Sequence, residues 1–390
     1  MNLSDLQNAV RSAVAVRCRT KLQPAAGPGT KVFPPTHAGG VYATETRRIP
    51  DEESPCGTRE AQCVLLDSVQ SQANRIEDAL QLAIDQGDLA FPLISVNFGD
   101  DMPDIQRVTS LQAPHRAADA ILRDCLLGGV AFRQSEIGKA ITDSSLSNAT
   151  ALFQYCPHAL VLGIWDSTGP KGGLGAKFAR ALVSEIVGID AIIGRRTASR
   201  IDPLQIRAAA KVIKSKDSWK MADGEKAKGA VSPSEINHGN IPPDVSDGSA
   251  TIAYAEHTAV LSLPQLRRLR FPINGKLDKD VDEAARTLLA AIALVGLKLS
   301  IERGCDLRSR CLLFPESELV FQLLETPGKP VDFTMTSAGA IKLYNEAAEA
   351  VVKAGLPWNT NPIELVPSPQ LVALVKKSQE LAAASEASED

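Results

Sequence analysis

Aromatic side chains are scarce, at 4% of 390 residues. That argues against a surface that works mainly by stacking bases on rings. The seven cysteines (18, 56, 63, 125, 156, 305 and 311) include no C-x-x-C pair and are irregularly spaced. Neither a zinc ribbon nor a disulfide framework is indicated, and a reducing, cytoplasmic location is expected. No apolar run is long enough for a bilayer. The most apolar stretch, 288–297, lies between Arg286 and Lys298 and predicts a buried helix, so no membrane partner is expected. The Met-Asn-Leu-Ser-Asp start lacks a cationic segment ahead of an apolar one, so no signal peptide is expected. Gly-Lys-Ser and Gly-Lys-Thr are missing, which excludes a Walker A loop. Gly173 and Gly175 begin a G-x-G-x-x-G fingerprint whose third position falls on Phe178. Ser167 has no G-x-S-x-G context and is a poor hydrolase nucleophile.

What is present can fold. Hydrophobic residues make up 44% of the chain and charged ones 23%, enough for a sizeable core in a soluble protein. The net charge of −4 hides a basic middle. Between Trp165 and Lys228 thirteen basic side chains face seven acidic ones, a local surplus of six. Smaller basic groups are Arg11, Arg17, Arg19, Lys21 and Lys31, and then Arg267, Arg268 and Arg270. A cationic patch on an acidic body suits a protein that holds a polyanion, although solvated helix faces would look the same.

Periodicity and breakers predict an α+β chain. Residues 6–16 are ambiguous. Pro and Gly make 22–40 a loop, and 47–60 reads as another. A strand at 63–66 passes through Asp67 and Ser68, which have capping chemistry, into a helix with Val69, Ala73, Ile76, Leu80 and Ile84 on one face. Strands are predicted at 91–98, 159–165, 251–263 and 319–324. Helices are predicted at 114–127, 176–187, 280–301, 338–353 and 371–381. The polar segment 214–250 reads as a long insertion, and the tail from 382 as frayed. We expect a single domain over 1–381, with insertions near 22–62 and 214–250.

The sharpest motif runs from Trp165 through Asp166, Ser167, Thr168, Gly169, Pro170, Lys171, Gly172, Gly173, Leu174, Gly175 and Ala176 to Lys177. Glycines let a backbone approach a phosphate, a following helix N-terminus would offer N–H groups, and lysines add charge. A tight structural turn is the competing reading. The predicted helix 176–187 would present Lys177, Arg180 and Ser184 together. His115 and Asp119, one turn apart, suit a metal or an acid–base pair, or else a structural hydrogen bond. Arg116 could reach a phosphate or pair with an acid. The same choice holds for Arg200 beside Asp202. Asp166 could bind Mg²⁺, but two-metal chemistry usually needs several carboxylates.

These segments together resemble a known family. They are Arg19-Thr20-Lys21-Leu22-Gln23-Pro24, Lys31-Val32-Phe33-Pro34-Pro35-Thr36, Val64 through Arg75, Leu111 through Arg116, Trp165 through Lys177, and Ser199 through Leu204. In this order they resemble the CRISPR-associated RAMP proteins that form the backbone of type I-G (formerly I-U) Cascade complexes, the Cas-seven-like subunits. The resemblance implies an RRM-like, ferredoxin-like palm with finger and thumb insertions. It implies copies packed head to tail along a CRISPR RNA that pairs with target DNA, beside other Cascade subunits and a recruited helicase–nuclease. It implies no cofactor and no catalysis of its own. Type III relatives cut RNA with an acidic loop residue, which makes a metal-dependent ribonuclease working through Asp166, or through His115 and Asp119, the alternative. By this analogy Lys21, Lys31, Arg75, Arg116, Ser167, Thr168, Lys171, Gly172, Gly173, Lys177, Arg180 and Arg200 are the candidate RNA contacts.

Overall fold

The computed structural model describes all residues except 100, 101, 103, 104, 168–174, 216, 217, 225, 226 and 390, and the side chains except those at 198, 242–247 and 382–389. It divides into two compact units. One comprises residues 1–192 and 250–368, the other 193–249 and 369–390.

The larger unit is built on a nine-stranded antiparallel sheet. Its strands are β1 (Ala15–Pro24), β2 (Thr44–Pro50), β3 (Thr58–Asp67), β4 (Leu182–Ile189), β5 (Tyr254–Ser262), β6 (Cys305–Arg308), β7 (Cys311–Pro315), β8 (Phe321–Leu324) and β9 (Val331–Phe333). The order is β6-β7-β1-β5-β4-β3-β2, with β8 also pairing β1 and β9 pairing β8. Its principal helices are α1 (Leu3–Ser12), α2 (Val69–Asp85), α3 (Lys279–Glu302) and α4 (Ser337–Lys353).

The four strands β8-β1-β5-β4 have a recognisable logic. In chain order they are the fourth, first, third and second strands of a β-α-β-β-α-β unit whose helices are α2 and α3. Every neighbouring pair is antiparallel. This is the ferredoxin-like arrangement, so the α+β expectation and the palm both hold. Alternation fixes which face is buried. Cys18, Thr20 and Leu22 of β1 turn inward with Ala255, His257, Ala259 and Leu261 of β5. Arg17, Arg19, Lys21 and Gln23 point the other way. The inner face meets α2, since Ser184 on β4 donates to Gln72 on α2 at 2.9 Å. α2 and α3 cross closely because Gly296 lacks a Cβ, which would stand 2.8 Å from Ile76.

Several expectations need correction. Residues 176–187 form no helix; Lys177–Phe178 is a short strand and β4 begins at Leu182. Phe178, Leu182 and Ile186 are four apart, but they are all even-numbered, so they also satisfy a strand's period of two. Residues 159–165 are not one strand but a buried helix, His158–Leu162, followed by Ile164–Trp165. A continuous apolar run carries no period, and length alone misled. Residues 114–127 break into a 3₁₀ turn, Arg116–Ala118, a one-turn helix, Ala120–Arg123, and a strand, Cys125–Leu127. Arg116 sits at φ +54°, which a helix cannot continue through. The loop expected at 47–60 is largely the β2–β3 hairpin. Its edge strand alternates no apolar residues and so left no pattern to read.

In the second unit, Ile192–Arg200 pairs with Ile241–Thr251. Val212–Ser215 lies between Ser218–Met221 and Ala230–Val231. The polar segment is therefore about half strand. The last helix is longer than expected, Pro369–Glu389.

Candidate nucleic-acid interface

A cleft of about 550 Å³ opens on the larger unit. It is lined by Gln70, His115, Arg116, Gly163, Trp165, Ser167, Lys177 and Arg180, among others. Four residues expected to contact RNA thus meet there: Arg116, Ser167, Lys177 and Arg180.

The residues flanking the glycine-rich loop build one wall, as two short paired strands. Ile164–Trp165 pairs antiparallel with Lys177–Phe178, and the Asp166 amide donates to the Ala176 carbonyl at 2.8 Å. Gly175 allows this pairing, because a Cβ there would lie 2.5 Å from the Asp166 carbonyl oxygen. No helix N-terminus follows the loop, so that part of the phosphate-cradle reading is withdrawn. Thr168, Lys171, Gly172 and Gly173 lie outside the described residues. Lys177 projects to solvent with its Nζ 5.0 Å from the centre of the Trp165 ring. Among the described residues no carboxylate pairs with it.

The floor is electrostatic. Arg116 and Glu77 form a bidentate pair at 2.7 and 3.0 Å, almost wholly buried, and Arg116 also donates to the Gly163 carbonyl at 3.0 Å. Arg116 is therefore held inward and is not an exposed phosphate ligand. Burial pushes the Glu77 carboxyl up to about 7, against the pull of Arg116. Burial, helped by Arg116, holds the neighbouring His158 down at about 3, so it is neutral and donates its Nε2–H to the Ser110 carbonyl at 3.1 Å.

Arg180 completes the group without being satisfied by it. Its Nε is buried with no hydrogen-bond partner among the described residues. Its pKa is lowered first by burial and then by Arg116. Gly163, at φ +88°, makes room: a Cβ there would come 2.9 Å from Arg180 Cγ. One carboxylate thus faces two guanidinium groups lining the cleft, and one of them makes no hydrogen bond among the described residues. An anion placed there would meet charge-assisted donors that no described residue occupies. Sequence reasoning missed Glu77, Gly163, Gln70 and Trp165. Only Trp165, at 55% exposure, had left a signal, as an indole beside a glycine-rich loop.

The other candidates are dispersed. Arg75 donates to Asp67 at 2.9 Å and to the carbonyls of Asp306 and Leu307, bracing the sheet. Lys21 is exposed on the outer face of β1, 4.6 Å from the centre of the Tyr254 ring. Beside it Arg19 pairs with Glu256 at 2.5 Å. Lys31 is exposed next to the Val32–Ala250 bridge. Arg200, in the smaller unit, donates to the Asn237 carbonyl, while the Asp202 carboxylate accepts the amides of Leu204, Ile206 and Gly239. Of the two readings left open for Arg200, pairing with Asp202 shows no hydrogen bond among the described residues.

The nuclease candidates have structural partners. Asp166 accepts from Arg133 at 2.7 Å and is nearly buried. Asp119 caps the helix Ala120–Arg123 through the Ile121 amide and also accepts the His115 amide. Among the described residues no three His, Cys, Asp or Glu side chains converge as metal ligands.

Comparison with known proteins supplies the rest. Residues 16–193, just under half of the chain, match the sequence family described as CRISPR-associated protein GSU0053. No curated protein matches in sequence. Among solved structures, the chain resembles one from a "CRISPR RNA-guided surveillance complex, pre-nicking" at 10% identity and a TM-score of 0.32, over 94% of this chain and 99% of that one.

Proposed function

We propose that this CRISPR-associated chain is a non-catalytic, CRISPR-RNA-binding backbone subunit of a Cascade complex, of the type I-G kind that its sequence resembles. The observation that carries the reading is the pair Lys177 and Arg180, two cations that form no ion pair among the described residues, in one cleft of a ferredoxin-like unit. The family match over 16–193 ends just past β4 and includes every residue named in that cleft. In this reading the cleft and the exposed face with Lys21 hold the guide's backbone, while base pairing reads target DNA. Further copies pack head to tail along the RNA in the cytoplasm, with other Cascade subunits and a recruited helicase–nuclease as partners. The insertion 214–250, all but its last residue in the second unit, is the candidate finger or thumb.

Co-expression with and without a cognate CRISPR array and the partner proteins, followed by size exclusion read at 260 and 280 nm, tests it. The expected result is a multi-subunit peak carrying RNA of uniform length, shortened when the spacer is trimmed. A nucleic-acid-free monomer under those conditions would overturn the reading.

A further inference from the structure

A second basic recess lies away from the cleft, where the end of α1 meets the start of α3. It encloses about 280 Å³ and is lined by Val10, Arg11, Arg267, Lys279, Glu283 and Arg286. Four cations therefore face one carboxylate. Glu283 is already engaged by Arg11, at 2.5 Å. Two of the cations are fixed by the backbone. Arg267 donates to the carbonyls of Val10 and Ala13 at 2.9 and 2.8 Å, and Arg286 to that of Leu269 at 3.0 and 2.6 Å. The nearby buried carboxylate, Asp282, is taken by Arg270 and Arg286. Lys279 is exposed and pairs with no acid among the described residues.

We infer that this recess binds a phosphate-bearing anion, through Lys279 and the pre-positioned guanidinium groups of Arg267 and Arg286. Cations outnumber acids in the lining, which favours a multiply charged anion over a lone carboxylate. At ~30 Å³ per water the space holds roughly nine waters, which suits a compact diphosphate or one nucleotide's phosphate rather than an extended peptide. Guanidinium groups already held by backbone carbonyls lose little freedom on binding, and their remaining N–H groups suit phosphate oxygens. The inference stands apart from the cleft, so either can fail alone.

Calorimetric titration of the full chain with inorganic pyrophosphate, and separately with a single-stranded RNA lacking terminal phosphates, tests it. Lys279→Glu should weaken binding about tenfold, the size of one charge-assisted contact. Lys279→Arg should retain binding, and Lys353→Ala, at the exposed end of α4, should leave pyrophosphate unaffected. Lys279 opens α3, where a glutamate is favourable, so the charge reversal should fold. A Lys279→Glu effect on both ligands supports a phosphate from either source. An effect on RNA alone assigns a backbone phosphate, and one on pyrophosphate alone a free phosphate compound. Binding of both ligands unmoved by Lys279→Glu, no binding at all, or a polyglutamate peptide binding more tightly than both would overturn the assignment.

Discussion

Two buried carboxylates ten residues apart, Asp67 at the end of β3 and Glu77 on α2, use similar parts to different ends. Each meets arginines, and each has a buried histidine in its neighbourhood, His257 near Asp67 and His158 near Glu77. Around Asp67 the donors are saturated. Ser71, Gln72, Arg75 and Arg308 converge on it, and the arginines give further N–H groups to the carbonyls of Asp306, Leu307 and Phe33. Around Glu77 the second arginine, Arg180, makes no hydrogen bond among the described residues. The first cluster closes on itself and braces sheet to helix. The second leaves positive charge at a cleft. An arginine beside a buried acid is thus structural or ligand-ready according to where its remaining donors go.

The largest expected effect separates the two arginines of the cleft. Arg116→Ala strands a buried carboxylate and should cost about 3–5 kcal/mol in urea unfolding. Arg180→Ala removes a cation that the fold does not satisfy, and should stay within about 1 kcal/mol. Equal losses would erase the contrast.

The next effect is on binding. Lys177→Ala with Arg180→Ala should weaken single-stranded RNA binding at least about tenfold, and reduce the slope of log K against log salt by about 1.4, or ~0.7 per lost phosphate contact. Arg75→Lys, within the saturated cluster, should leave that slope alone. Fluorescence anisotropy over a salt series reads both.

The smallest effect is a change of slope with pH. Burial holds His257 at about 4, against 6.5 for a free imidazole, with Asp67 pulling weakly upward. Below pH 6.5 the unfolded chain takes a proton that the folded chain refuses. Stability contributed by this site is therefore complete above 6.5, falls as the pH drops, and levels off near 4. His257→Gln should flatten unfolding free energy over that window. At the cleft the signs conflict: protonation of Glu77, raised from 4.5 to about 7, favours the folded state while His158 opposes it. If His257→Gln leaves the slope unchanged, burial does not hold the histidine neutral.

The sequence marked much of this architecture and less of its chemistry. α2 and α3 were legible because Val69, Ala73, Ile76 and Leu80 keep a helical period and because 288–297 is apolar throughout. β4 was misread because spacings of four belong to both periods, and what decided was β5, more than seventy residues further along. The glycine-rich loop was visible as a motif, yet the strand pairing at its two ends depends on Gly175 meeting Asp166. Arg116 and Arg75 looked alike as basic residues near polar runs. Only packing shows one buried against Glu77 and the other spanning to β6. Glu77 itself lies amid a helix's charged residues with nothing to distinguish it.

One consequence of the topology concerns how such a chain can diversify. β4 and β5 pair along their whole length, and Ile189 and Tyr254 face each other on the last rung. The sixty-odd residues between them leave and re-enter the sheet at a single point. Their ends are held together by the hairpin whatever lies between, so closing a longer or shorter excursion costs only slowly more. The palm can therefore act as a fixed handle, and the segment between Ile189 and Tyr254 as an exchangeable tool.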